Sequence, residues 1–118
     1  MFSETLKAIA EGMPDTDCVL LMGMDGLPIE KVTRNQSVNI ETISAEFTSL
    51  LKVTSQTSAE VEAGKLDEVM VLSDKMVVVM KAITKEYFLM LILPKDANLG
   101  RARFELKKAK YALEKEFE

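Results

Sequence analysis

Two rhythms of apolar residues run through the chain. Phe2, Leu6, Ile9 and Met13 recur at spacings of three and four, which lines them along one side of a short helix that Gly12 to Pro14 should end. The next run, Cys18 to Met24, is apolar almost without interruption, then breaks at Asp25-Gly26 and resumes as Leu27-Pro28-Ile29. This is the pattern of a strand, a tight turn and a second strand. Glycine adopts the positive φ of such a turn without steric cost, and Pro28 belongs at a strand start or an edge, where no ladder needs its N–H. The second strand, near Ile29 to Arg34, is less apolar and reads as an edge.

From Val38 or Asn39 to Ala63 there is neither proline nor glycine. Ile40, Ile43, Phe47, Leu50, Leu51, Thr54, Ser58 and Val61 fall on one face at about 100° per residue, so this is the longest helix, with Asn39 or Ser37 to cap it and Gly64 to end it in a left-handed conformation. Strands follow over about Leu66 to Ser73, Met76 to Ile83 and Tyr87 to Leu93, joined by connections too short for anything but antiparallel hairpins. The last two are apolar at nearly every position, which requires cover on both faces. A final helix starts near Asn98 and buries Leu99, Ala102, Leu106, Ala109, Leu113 and Phe117. The predicted fold class is α+β, in the order α-β-β-α-β-β-β-α. A five-stranded antiparallel sheet lies between the long middle helix on one face and the two terminal helices on the other.

With 118 residues, 47% hydrophobic and 29% charged, the material suffices for one domain over residues 1–118. A net charge of −4 and a pI near 5.0 argue against nucleic acid or anionic membrane as partners. The amino terminus carries Glu4 and Glu11 and lacks the form of a secretory signal, and the longest apolar run is far short of a bilayer span. One cysteine, Cys18, inside an apolar strand, reads as a buried thiol in the cytoplasm. There is no histidine, a single cysteine makes no thiolate cage, and the five glycines are too scattered for a phosphate loop. Asp15 and Asp17 read as a polar loop and Asp25 as turn chemistry, so the expectation is no catalytic residue, no metal and no cofactor. The eight methionines, mostly in strands, read as core filler.

The order of elements, the strand-Asp25-Gly26-Leu27-Pro28-Ile29 hairpin and the closing Asn98-Leu99-Gly100-Arg101-Ala102-Arg103-Phe104-Glu105-Leu106 helix together resemble the Roadblock (dynein light chain type) domain family, which includes the bacterial MglB-type regulators of Ras-like GTPases. The resemblance spans almost the whole chain. It implies a homodimer or heterodimer in which the middle helices pack together and the third strands join into one sheet, with a small Ras-like GTPase docked on the paired helices. The chain runs only to Glu118, so no role of a carboxy-terminal extension carries over from longer MglB-type proteins.

Two surfaces are candidates for interaction. The face of the middle helix opposite its core stripe reads Thr42, Ala45, Ser49, Lys52, Val53, Gln56, Glu60 and Ala63, small and nearly neutral at its centre, which suits close approach of a partner. Together with the third strand (Leu66, Asp67, Glu68, Val69, Met70, Val71 and Leu72), which would otherwise be a bare edge, it is read as an interface rather than a tolerant surface helix. The second is Phe104 and Tyr111 on the last helix, flanked by Lys107, Lys108 and Lys115. Exposed, these aromatics would anchor an acidic partner; the preferred reading is that they wedge against the first helix.

The function expected is a cytoplasmic homodimer that binds a Ras-like GTPase and stimulates hydrolysis by positioning the GTPase's own switch residues, since the proposed helix face carries Lys52 but no arginine. The alternatives are a dimeric scaffold in a GTPase or motor-associated complex without effect on turnover, and a sensor sheltering a small ligand.

Overall fold

The computed structural model describes residues 2–117; Met1 and Glu118, which bound the predicted domain, lie outside the described residues. The elements are α1 (Phe2–Gly12), β1 (Cys18–Gly23), β2 (Pro28–Thr33), α2 (Ile40–Glu60), β3 (Glu68–Leu72), β4 (Val77–Ala82), β5 (Tyr87–Leu93) and α3 (Leu99–Glu116). The strands form one antiparallel sheet in the order β2-β1-β5-β4-β3. The predicted order of elements and α+β class are therefore the observed ones.

The unbroken apolar runs of β1, β4 and β5 occupy the three central positions, where both faces need cover. On one face Val19, Leu21, Val79, Leu89 and Leu91 pack with Leu6 and Ile9 of α1 and Leu106 and Leu113 of α3. On the other, Leu20, Met22, Val78, Met80, Phe88 and Met90 meet Leu51, with Ile40, Ile43 and Phe47 of α2 partly buried beside them. Truncating any one of the fully buried leucines to alanine costs about 2–5 kcal/mol. The ends of the α1/α3 layer are tied by the rings of Phe2 and Phe117, stacked 5.1 Å apart, and by Tyr87 stacked 4.5 Å from Phe117.

The first hairpin forms as its residues dictate. Gly26 has φ +88°, and Asp25 Oδ1 accepts the N–H of Leu27 at 3.0 Å. Pro28 opens β2, and the register slips so that Met22 faces Pro28 while Leu21 faces Glu30, leaving Ile29 as a bulge. At the other edge, β3 is shorter than the predicted 66–73, because Leu66 and Asp67 belong to the loop that leads into it.

α2 is capped as predicted by Asn39, whose side chain accepts the N–H of Thr42 at 3.2 Å. It stops at Glu60 instead of Ala63. The N–H of Ala63 bonds to Ser58 C=O and that of Glu62 to Ala59 C=O, which is the Schellman closure, and Glu62 takes the left-handed position with φ 59°. Gly64 is left-handed too, at φ +95°, two residues beyond the turn that ends the helix.

Candidate functional site

The side of α2 that faces the sheet overlaps the predicted stripe, with Ile40, Ile43, Phe47 and Leu51 packed against it, but is rotated from the centre of that stripe. Ser44, Thr48 and Leu51 are the buried residues of the helix, whereas Leu50 is 40% exposed and Val61 is exposed beyond the helix end. Leu50 lies about 120° around the helix from Ser44 and about 100° from Leu51. The apolar arc of α2 is therefore wider than the sheet needs, and small hydroxyl residues fill the line of closest approach. Ser44 Oγ and Thr48 Oγ1 are buried there without a hydrogen-bond partner. Each such group costs on the order of 1–3 kcal/mol relative to a satisfied one.

All eight residues predicted for the outward face, Thr42, Ala45, Ser49, Lys52, Val53, Gln56, Glu60 and Ala63, are exposed, although Ala63 belongs to the closing turn and not to the helix. Leu50 and Thr57 add a strip flanking that face beside Val53, with Val61 following beyond the helix end. Several hydroxyls on the helix turn back onto its own backbone: Ser49 Oγ donates to Ala45 C=O at 3.2 Å, Thr54 Oγ1 to Leu50 C=O at 2.8 Å and Thr57 Oγ1 to Val53 C=O at 2.9 Å. Hydroxyls satisfied in this way need no water, and methyl and methylene groups are left to meet a neighbour. Sequence reasoning missed Leu50 and Val61 here because it assigned them to the core stripe. The signal that separates them is that Ser44 and Thr48, one turn apart and small enough for close packing, define a second inward line.

Among the described residues β3 pairs only with β4, so its other row of N–H and C=O groups has no strand partner there. Glu68, Val69, Met70 and Val71 are half-buried and Leu72 is 61% exposed. Charged side chains brace the strand from within the chain. Arg103 of α3 grips Glu68 with both Nε and Nη2 at 3.0–3.2 Å, and Lys81 and Lys110 reach Asp67 at 3.0 and 3.5 Å. The hydrogen bond from Lys81, aided by the charges of Lys81 and Lys110, holds the Asp67 carboxyl below its ordinary range. Leu66 is half-buried beneath α2, against the same cluster as Val69.

Phe104 and Tyr111 do not wedge against α1. They are 55% and 68% exposed, because the buried side of α3 is taken by Ala102, Glu105, Leu106, Ala109 and Leu113, and the preferred sequence reading of these two aromatics is overturned. Lys107 and Lys108 stand exposed beside them.

Cys18 is buried in β1, and burial pushes its thiol up, away from the reactive thiolate. Among the described residues no group of three or more Cys, Asp or Glu is placed to hold a metal ion, and no helix is long and apolar enough to cross a membrane. A groove of about 710 Å³ opens between the C-terminal half of α2 and the β4–β5 hairpin, lined by Leu51, Ser55, Ala59, Tyr87 and Phe88 among others. Its lining includes the charged side chains of Glu62, Lys65, Lys85, Lys110 and Glu114, and none of the buried polar side chains of the described residues.

The arrangement of three helices and a five-stranded antiparallel sheet is found again in solved structures. MglB of Myxococcus xanthus superposes with a TM-score of 0.87 over 98% of this chain and 94% of that one, at 16% identity. A Roadblock/LC7 domain from Streptomyces avermitilis gives 0.84 over 97% and 95%, at 13% identity. The chain has the Roadblock/LC7 fold. A further MglB, solved in a tetrameric arrangement, shares this fold with a TM-score of 0.86 over 97% of this chain and 85% of that one, at 16% identity. No protein-family model matches the chain, and no curated protein does. At such identities the Roadblock/LC7 fold is carried by the pattern of apolar positions and turns, with most side chains replaced.

Proposed function

We propose that this Roadblock/LC7 chain pairs with a second copy through β3 and the flank of α2, and that the paired helices form a platform for a Ras-like small GTPase in the cytoplasm. The observation that carries the reading is the coincidence of an unpaired strand edge with a helix whose outer side offers Leu50 and Val53 and whose Ser49 and Thr57 hydroxyls bond back to the helix backbone. Such a face loses little when water leaves it, which is what an interface core requires. The GTPase comes from the resemblance in the hairpin and the Asn98-Leu99-Gly100 helix, and the self-association of at least one MglB of this fold is in keeping with pairing.

The chain acts on the GTPase by holding the GTPase's own switch residues and inserts no arginine. Its three arginines are all engaged within the chain: Arg34 donates to Pro14 C=O at 2.9 Å, Arg101 pairs with Glu105 at 2.7 Å and Arg103 with Glu68 at 3.0 Å. Single-turnover GTP hydrolysis by a Ras-like GTPase from the same cell, with and without this protein, tests the reading. The expected result is faster turnover that survives Arg34→Ala, Arg101→Ala and Arg103→Ala. Binding without acceleration would replace it with the scaffold reading, and loss of acceleration with any one arginine would reverse the mechanism.

A further inference from the structure

Charge on this chain is segregated. α3 carries six Lys or Arg against three Glu, while the rest of the sequence carries nine against sixteen acidic residues. Of the three glutamates on α3, Glu105 is 1% exposed and adds little to the surface.

That buried carboxylate organises what lies above it. Glu105 sits between α3 and the last turn of α1, in space that exists because residue 12 is glycine; a Cβ there would come within 2.6 Å of Glu105 Cδ. From this position it pairs with Arg101 at 2.7 Å and Lys108 at 3.3 Å. The same two cations flank the exposed ring of Phe104, with Arg101 Cζ 5.5 Å and Lys108 Nζ 5.3 Å from its centroid. Further along, Lys115 Nζ lies 4.6 Å from the ring of Tyr111. Arg101, Phe104, Lys108, Tyr111 and Lys115, spaced alternately by three and four, form one outward row about 21 Å long. Both rings of the row lie outside the core, and Arg101 and Lys108, though they neutralise Glu105, keep about half of their side-chain surface in water.

We propose that this row of α3 is a docking surface for an acidic segment of a partner protein. Carboxylates of the segment pair with Arg101, Lys108 and Lys115, and a large apolar side chain lies against Phe104 and Tyr111. Charge complementarity argues for this occupant, and so does the pre-set position of the cations, which Glu105 holds before anything binds. The length matches an extended segment of about six or seven residues. An anionic bilayer suits it less, since the sixteen acidic residues elsewhere on the chain are repelled by such a surface. The site goes beyond the GTPase platform and lies across the sheet from α2, so either can fail without the other.

The test uses a short fluorescein-labelled peptide of Glu and Asp interspersed with Leu and Phe, a matching peptide with Ser for each apolar residue, and phosphatidylserine vesicles. The expected result is salt-sensitive binding of the first peptide, with amide shifts confined to Arg101 through Lys115. Phe104→Ala should weaken it about tenfold, and Ala45→Arg on α2 should leave it unchanged. Equal binding of the Ser peptide, no effect of Phe104→Ala, shifts elsewhere, no binding at all, or binding to the vesicles alone would each overturn the proposal.

Discussion

Val53 lies on the outward face of α2 with 61% of its surface exposed. Burying a whole valine side chain is worth about 1.5–2 kcal/mol, so covering what Val53 still exposes is worth about 1 kcal/mol. A two-fold pair contains the residue twice, and Val53→Ala should weaken association by about 2 kcal/mol, about thirtyfold in Kd. Val53→Asp brings two carboxylates into the covered face, at several kcal/mol each, and should abolish pairing. Sedimentation equilibrium of the three proteins over a wide concentration range measures this directly. Thermal melts at dilutions where parent and variants are all single copies supply the control, since pairing itself raises the melting point: Val53 lies outside the core clusters, so folding stability should move by less than about 0.5 kcal/mol. A Val53→Asp protein that pairs as tightly as the parent would refute the assignment of this face, and a parent that stays single at every concentration would refute pairing itself.

Ala45→Arg or Ser49→Arg should abolish binding of the GTPase in a pull-down with purified components while leaving the melting temperature of the unpaired chain unchanged, since both positions are exposed. Because the Asp67 carboxyl is depressed in the folded chain, its pairing with Lys81 stabilises the fold above about pH 4, the unfolded value, and is lost as pH falls through the folded one. Asp67→Asn should therefore lower the urea midpoint at pH 7 and not at pH 2; with this side chain 61% exposed the effect is below about 1 kcal/mol. Gly12→Ala should destabilise by about 1–3 kcal/mol in thermal melts, because the added methyl meets the Glu105 carboxyl, and Gly12→Ala with Glu105→Ala should recover the part due to the clash.

The sheet was legible because its central strands are apolar on both faces and its turns use residues with one conformational purpose, as at Asp25-Gly26 and Asn98. The rotation of α2 was not. Periodicity locates an apolar stripe but does not tell a line that packs on the sheet from one left in solvent, so it places Leu50 and Val61 inward and gives no weight to Ser44 and Thr48. The end of the same helix was misplaced because Glu62 takes a left-handed turn that glycine usually fills. The place of Glu105 was hidden for another reason. A glutamate on a helix rich in lysine reads as solvated, and only the absence of a side chain at Gly12 makes room to bury it.

The two rims of the sheet are unlike. β2 begins with a residue that has no N–H, carries a bulge at Ile29 and has α1 lying against it, whereas β3 runs straight and uncovered. A strand can be added on one side only. Whatever joins there therefore ends the addition: two such chains meeting rim to rim make a closed ten-stranded unit with bulged, proline-started strands at both outer limits, and growth into a fibre has no place to begin.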